Sequence, residues 1–180
     1  MPWLCSGKRV MEDTAMQDQT TTQQNISKVA EQLKGFKLAM LTTVASDNSL
    51  HSRPMVVQQK EFDGDLWFMT GRDSGKIAEL SQSKQVNVAF VDVDDSRYVS
   101  LSGTGQIVDD RAKIKELWTP LAKAWFKDEN DPNIVLIKVE PQIVEYWDTP
   151  NSTFVQVAGF LSALVTGERP EIGEHGKVKL

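Results

Sequence analysis

Leu38-Ala39-Met40-Leu41-Thr42-Thr43-Val44-Ala45, then Ser46-Asp47-Asn48-Ser49, then Leu50-His51-Ser52-Arg53-Pro54-Met55-Val56-Val57-Gln58-Gln59, is the stretch that decides the fold. Its first run is apolar and β-branched, the four residues after it are turn formers, and the last segment returns as a second strand. A hairpin here commits the sheet to antiparallel pairing, since a parallel pair needs a crossover of a dozen or more residues. Asp63-Gly64 marks a further turn before Leu66 to Thr70, so three strands are expected to run as a meander.

Downstream, a helix is expected from near Ser74, a buried strand over Gln85 to Val93, and a turn at Asp94-Asp95-Ser96. Tyr98 to Ile107 alternates cleanly. Val99, Leu101, Gly103, Gly105 and Ile107 give an apolar or small face, and Ser100, Ser102, Thr104 and Gln106 give a polar face expected to line a pocket inside a barrel. Asp109-Asp110 starts a helix that Pro120 splits, Asp131-Pro132 ends it, and Ile134 to Trp147 is a long strand interrupted at Pro141.

Upstream, Ile26, Val29, Ala30, Leu33 and Phe36 form one helical stripe, with a helix start near Asn25 or Ser27. Thr153 to Val165 reads as a closing helix and Gly167 as its C-cap. The domain reading is a flexible tail over 1–24, one folded domain over 25–166, and a polar tail over 167–180. The fold class is mostly β with flanking helices: a six-stranded antiparallel barrel with hairpin connections.

Composition narrows the function. A net charge of −5 argues against polyanion binding, so no nucleic-acid partner is expected. A single cysteine, Cys5, rules out an intrachain disulfide and a CxxC metal site, and no metal is expected. With no export signal and no run of about 18 apolar residues, the expectation is a cytoplasmic protein without a membrane span.

The stretch Phe68-Met69-Thr70-Gly71-Arg72-Asp73-Ser74-Gly75-Lys76 has the makings of an anion seat. A strand ends at a hydroxyl and a helix restarts with Ser74 and Lys76, where unpaired N–H groups and the helix dipole favour negative charge. A P-loop is excluded by spacing: three residues separate the glycines instead of four, and Ile77 follows the lysine. The plain alternative is a Ser-capped helix start with a surface lysine, and for Arg53 a surface group or an ion pair. Arg53 beside Pro54 fits an edge strand facing a ligand. His51 and His175 have no metal-ligand or nucleophile-base spacing, GxSxG is absent, and no side chain is assigned as catalytic acid or base.

Arg53-Pro54-Met55-Val56, Phe68-Met69-Thr70, Ser74-Gly75-Lys76 and Val144-Glu145-Tyr146-Trp147 resemble the FMN-binding split-barrel superfamily that contains pyridoxamine-phosphate oxidase. Tyr98-Val99-Ser100-Leu101-Ser102-Gly103, Asp109-Asp110-Arg111, Trp125-Phe126, Gly167-Glu168-Arg169-Pro170 and Gly173-Glu174-His175-Gly176 resemble its general stress protein branch. The resemblance spans roughly Ile26 to the C-terminus and implies a split barrel. It also implies a homodimer with sites shared across the interface, and a bound flavin, FMN with FAD as the alternative.

By the same resemblance, Arg53, Ser74, Thr70 and Lys76 hold the phosphate, Met55, Val56 and Met69 line the flavin, and Trp147 packs on it from the partner subunit. A basic phosphate ligand is replaced by Gly75. Asp148-Thr149-Pro150-Asn151 stands where the oxidase carries Arg-Leu-His-Asp-Arg, which argues against pyridoxamine-phosphate oxidation itself. The implied function is a flavin-dependent oxidoreductase or reductase of the general-stress type, with a non-catalytic flavin-binding or flavin-buffering protein as the alternative.

Overall fold

The computed structural model describes residues 21–59, 61–148 and 174–180. Residues 1–20 of the tail expected over 1–24, the closing helix over Thr153 to Val165 and its Gly167 cap lie outside the described residues. Helix α1 covers 21–33. It is followed by β1 (Leu38–Val44), β2 (Leu50–Val56), β3 (Leu66–Gly71), α2 (Gly75–Gln82), β4 (Gln85–Asp92) and β5 (Arg97–Val108). Then come α3 (Arg111–Leu117), a 3-10 turn (Pro120–Ala124), β6 (Ile134–Asp148) and β7 (Glu174–Lys179).

All described pairings are antiparallel, and the hydrogen-bonded path runs β2-β1-β4-β5-β6-β3, with β7 paired to β6. The sheet curls around one core of Leu41, Phe68, Val88, Phe90, Leu101 and Tyr146 but does not close. It is a mostly antiparallel split barrel with flanking helices. A second cluster, Met69, Ile114, Leu117, Ala122, Ile134 and Leu136, seats α3 and the 3-10 turn on the outside of β3 and β6. Asp110 caps α3 by accepting from the Lys113 N–H at 3.0 Å.

Four expectations are corrected. The first three strands are no meander: β1 and β2 form the hairpin, but β3 pairs along β6, from Leu66↔Val139 to Gly71↔Ile134. The connection over 57–65 is too long for a tight turn, and the Gln59 amide donates to the Asp65 carbonyl at 3.0 Å, holding its end in place. Helix α1 includes 21–24, ahead of the expected start, and the Ser27 hydroxyl donates to the Gln23 carbonyl at 2.9 Å within the helix instead of capping it. These added residues are exposed on the solvent side, so no apolar stripe announced them.

Third, the polar face of β5 points outward. Val99, Leu101, Gly103 and Gly105 are buried, whereas Ser100 and Ser102 accept from the Asn87 amide at 2.9 and 3.2 Å on the outer surface. The barrel interior takes the apolar face because burying four unpartnered hydroxyls or amides is the costlier choice. Fourth, the C-terminal tail contains β7, so the described residues hold seven strands instead of six. Gly176 and Val178 face inward between exposed His175, Lys177 and Lys179, and Asn25 on α1 donates to the Lys179 carbonyl at 3.0 Å.

The Tyr146 ring occupies the space a side chain at Gly176 would need: a Cβ there would lie 2.1 Å from Tyr146 Oη. Gly176→Val is therefore expected to lift β7 off β6. The measurement is amide exchange, with protection lost at Lys177 to Lys179 and retained in the β1–β2 hairpin.

Candidate functional site

The two ends of the hydrogen-bonded path, β2 and β3, do not pair with each other, and a cavity of about 600 Å³ lies between them. That volume is within the range of small-molecule and cofactor sites. β2 contributes Pro54, Met55 and Val56; β3 contributes Met69, Thr70 and Gly71; Asp73, Ser74 and Lys76 follow at the start of α2. Six of the residues expected from sequence, Met55, Val56, Met69, Thr70, Ser74 and Lys76, thus share one cavity.

Its polar end is organised by Lys76. The ammonium donates to Thr70 Oγ1 at 2.8 Å and to Ser74 Oγ at 2.6 Å. Ser74 occupies the N-cap position of α2 in extended conformation, but its hydroxyl makes no capping bond and serves the lysine instead. The reading of Ser74 as an ordinary cap is therefore corrected. Burial first, and the nearby Arg53 second, push the Lys76 pKa below its ordinary value, with Glu79 and Asp73 opposing. A cation held this way gains from an arriving anion.

Arg53 is on edge strand β2 as expected, but it does not line the cavity. Its Nη1 donates to Thr43 Oγ1 at 2.7 Å and its Nη2 to Glu79 Oε1 at 2.6 Å. Glu79 also lies 2.8 Å from His51 Nδ1 and accepts from Thr43 Oγ1 at 2.5 Å. The Arg53 hydrogen bond leads in lowering the Glu79 pKa to about 2, against desolvation, with Thr43 and His51 assisting. Because that value is depressed, the stability the carboxylate contributes is complete above the ordinary Glu range, declines progressively as pH falls below it and is gone below about 2.

Arg72 turns away from the cavity. Its Nε donates to the Pro132 carbonyl at 2.8 Å and its Nη2 bonds Asp109, which also takes Arg111 at 2.9 Å. Trp147 is also elsewhere: on β6, 40% exposed, its indole stacked on the His175 ring at 5.1 Å and 14°.

Sequence reasoning did not assign Gln58, Trp125, Phe126 or Asn133 to the cavity wall, nor Glu79 to the group behind it. Trp125-Phe126 had a signal, an aromatic pair following a proline-started turn. Glu79 had one too, an acid one helical turn beyond Lys76. Among the described residues no group of three or more His, Cys, Asp or Glu is placed to hold a metal, and no helix is long and apolar enough to cross a membrane.

Comparison with known proteins matches this architecture. The family described as pyridoxamine 5'-phosphate oxidase like matches residues 24–171. Protein bli-3 of Neurospora crassa is 30% identical over 156 residues, covering 81% of this chain and 75% of its own. General stress protein 26 of Bacillus subtilis is 27% identical over 141 residues, covering 75% of this chain and 97% of its own. The crystal structure of the general stress FMN/FAD binding protein from Xanthomonas citri is 28% identical with a TM-score of 0.59, covering 72% of this chain and 91% of that one. A split barrel whose open seam carries a hydroxyl-held lysine, in a chain matched over 24–171, belongs to the pyridoxamine 5'-phosphate oxidase-like family, with general stress protein 26 among its relatives.

Proposed function

We propose that the protein is an FMN-binding homodimer acting as a flavin-dependent oxidoreductase. The observation that carries this reading is Lys76, bonded to Thr70 and Ser74 at one end of a cavity whose walls are Met55, Val56, Met69, Trp125 and Phe126. A phosphate monoester matches the polar end and a planar heteroaromatic ring matches the walls. The side-chain oxygen of Gln58, which lines the same cavity, is buried without a hydrogen-bond partner, an acceptor suited to a ring N–H after a small side-chain turn. The Xanthomonas relative's description as FMN/FAD binding supports the flavin reading.

In this reading Thr70, Ser74 and Lys76 hold the phosphate, with Arg53 adding positive charge from behind. Met55, Val56 and Met69 exclude water from the ring. Bound flavin supplies the electron-transfer chemistry, and the protein fixes its position and surroundings.

The outer sheet face supports the homodimer reading. Leu38, a cavity-wall residue, is 53% exposed, and Val91, Tyr98 and Trp147 continue an exposed apolar series on β4, β5 and β6. In this reading Trp147, which does not line the chain's own cavity and lies across β5 and β4 from β1, serves a partner's. A second reading, a flavin-holding protein without efficient turnover, is favoured by the wall itself, where Asp73 and Lys76 are the only ionisable side chains among the described residues.

The absorption spectrum of freshly purified protein and FMN titration of the apoprotein test the binding claim. Flavin bands near one per chain are expected, and an apoprotein that takes up no FMN sinks it. Turnover with a reduced nicotinamide above that of free FMN separates the enzyme from the holder.

A further inference from the structure

We propose that Glu79 competes with a ligand phosphate for Arg53 and thereby sets how tightly a phosphate monoester is held in the cavity. This rests on the phosphate-site reading above and goes beyond it, since Glu79 does not line the cavity. Glu79 lies three residues beyond Lys76 on α2, on the same helix side, so the seat and the carboxylate are neighbours. Arg53 is drawn on by both. Its two terminal nitrogens already donate to Thr43 and Glu79, yet its charge reaches Lys76 closely enough to lower that lysine's pKa.

The balance of fixed charge explains why this matters. Arg53 and Lys76 provide two positive charges and Glu79 and Asp73 two negative ones; Arg53, Lys76 and Glu79 are partly buried, and Asp73 is exposed at the cavity's rim. A phosphate monoester entering beside Lys76 therefore meets a nearly neutral surround in which Glu79 holds the nearer share of the guanidinium. The guanidinium is a rigid planar fork whose two terminal nitrogens are already engaged, so swinging it toward a phosphate beside Lys76 draws Nη2 away from Glu79. Thr43, 0% exposed, accepts from Arg53 and donates to Glu79, so the pair is held as a unit instead of drifting as a surface salt bridge would.

The alternative is that Glu79 merely buttresses the fold or orients Arg53. The two predict opposite signs. Glu79→Gln keeps one acceptor oxygen for Arg53 and presents its NH2 to the Thr43 hydroxyl, which can accept, but removes the charge, so folding is expected to survive. FMN and riboflavin are titrated separately into the apo forms of wild type and Glu79→Gln, by flavin fluorescence. The expected result is FMN tightened by about tenfold with riboflavin unchanged within about twofold, the size of one partly screened charge contact. In an Arg53→Ala background the same substitution is expected to give no comparable gain, because the effect passes through the guanidinium.

FMN weakened by Glu79→Gln, or FMN and riboflavin shifted equally, overturns the proposal. If Glu79→Gln does not yield folded protein, Glu79→Asp, whose shorter arm withdraws from Arg53, takes its place; a smaller FMN gain supports the proposal and a loss overturns it. Failure here stays separate from failure of the phosphate reading. That reading falls if Lys76→Ala leaves the FMN-to-riboflavin ratio unchanged, whereas the Glu79 proposal falls if that ratio responds to Lys76 but not to Glu79.

Discussion

Lys76→Ala is expected to weaken FMN binding by about 100-fold while riboflavin binding changes by no more than about twofold. A charge-assisted contact to phosphate is worth about 2 to 3 kcal/mol, and each 1.4 kcal/mol is about tenfold. The selectivity comes from the site's layout: Lys76 meets Thr70 and Ser74 at the polar end, whereas the apolar walls are supplied by other residues. Riboflavin, lacking the phosphate, senses only those walls. Removing Lys76 also leaves the two hydroxyls paired with nothing charged, so a neutral ligand gains no compensation. Fluorescence titration of both flavins checks the result, and equal losses for the two would refute the phosphate assignment.

Gly103→Ala is expected to lower the melting temperature by about 10 °C or to prevent folding. A Cβ at this position would stand 2.1 Å from the Glu140 carbonyl oxygen and 2.8 Å from Pro141 Cα. Both are backbone atoms of the adjacent strand, so neither can swing aside as a side chain would. The sheet register shifts at this point, Ser102 pairing with Ile143 and Gly103 with Pro141, leaving Gln142 as the bulged residue. A penalty above about 3 kcal/mol is in line with strain of this kind, and a chain of this length loses about 2 to 4 °C per kcal/mol. Gly75→Ala is the contrast. A Cβ there meets nothing within 4 Å and the residue opens α2, so thermal melting should show an unchanged or slightly higher transition.

The hairpin, the alternation of β5 and the strand-hydroxyl-helix order of Thr70, Ser74 and Lys76 were legible in sequence because each is written in neighbouring residues. The pairing of β3 was not. Nothing in Leu66 to Gly71 says whether its partner precedes or follows it, and the choice of β6 is made by the apolar stretch Ile134 to Val139 sixty-odd residues later. β7 was missed because, over 175–179, only Gly176 and Val178 face inward, and the flanking lysines Lys177 and Lys179 read as a solvated tail. Glu79 was missed because an acid one helical turn beyond a lysine is commonplace on a solvated helix and singles out no site. Its meaning comes from Thr43, His51 and Arg53 arriving from two other strands.

The unpaired edges of β2 and β3 have a kinetic meaning. In a closed barrel, a molecule the size of the cavity could enter only by parting two strands and breaking their ladder. Here the ladder is absent where the cavity lies, so passage asks for side-chain rearrangement and not strand separation: Trp125, 64% exposed, changes rotamer in picoseconds to nanoseconds, and the buried Met55 and Met69 shift within the walls. Residence time is then governed by the contacts a guest makes inside and by whatever covers the seam, while the hydrogen-bonded frame stays intact through every arrival and departure.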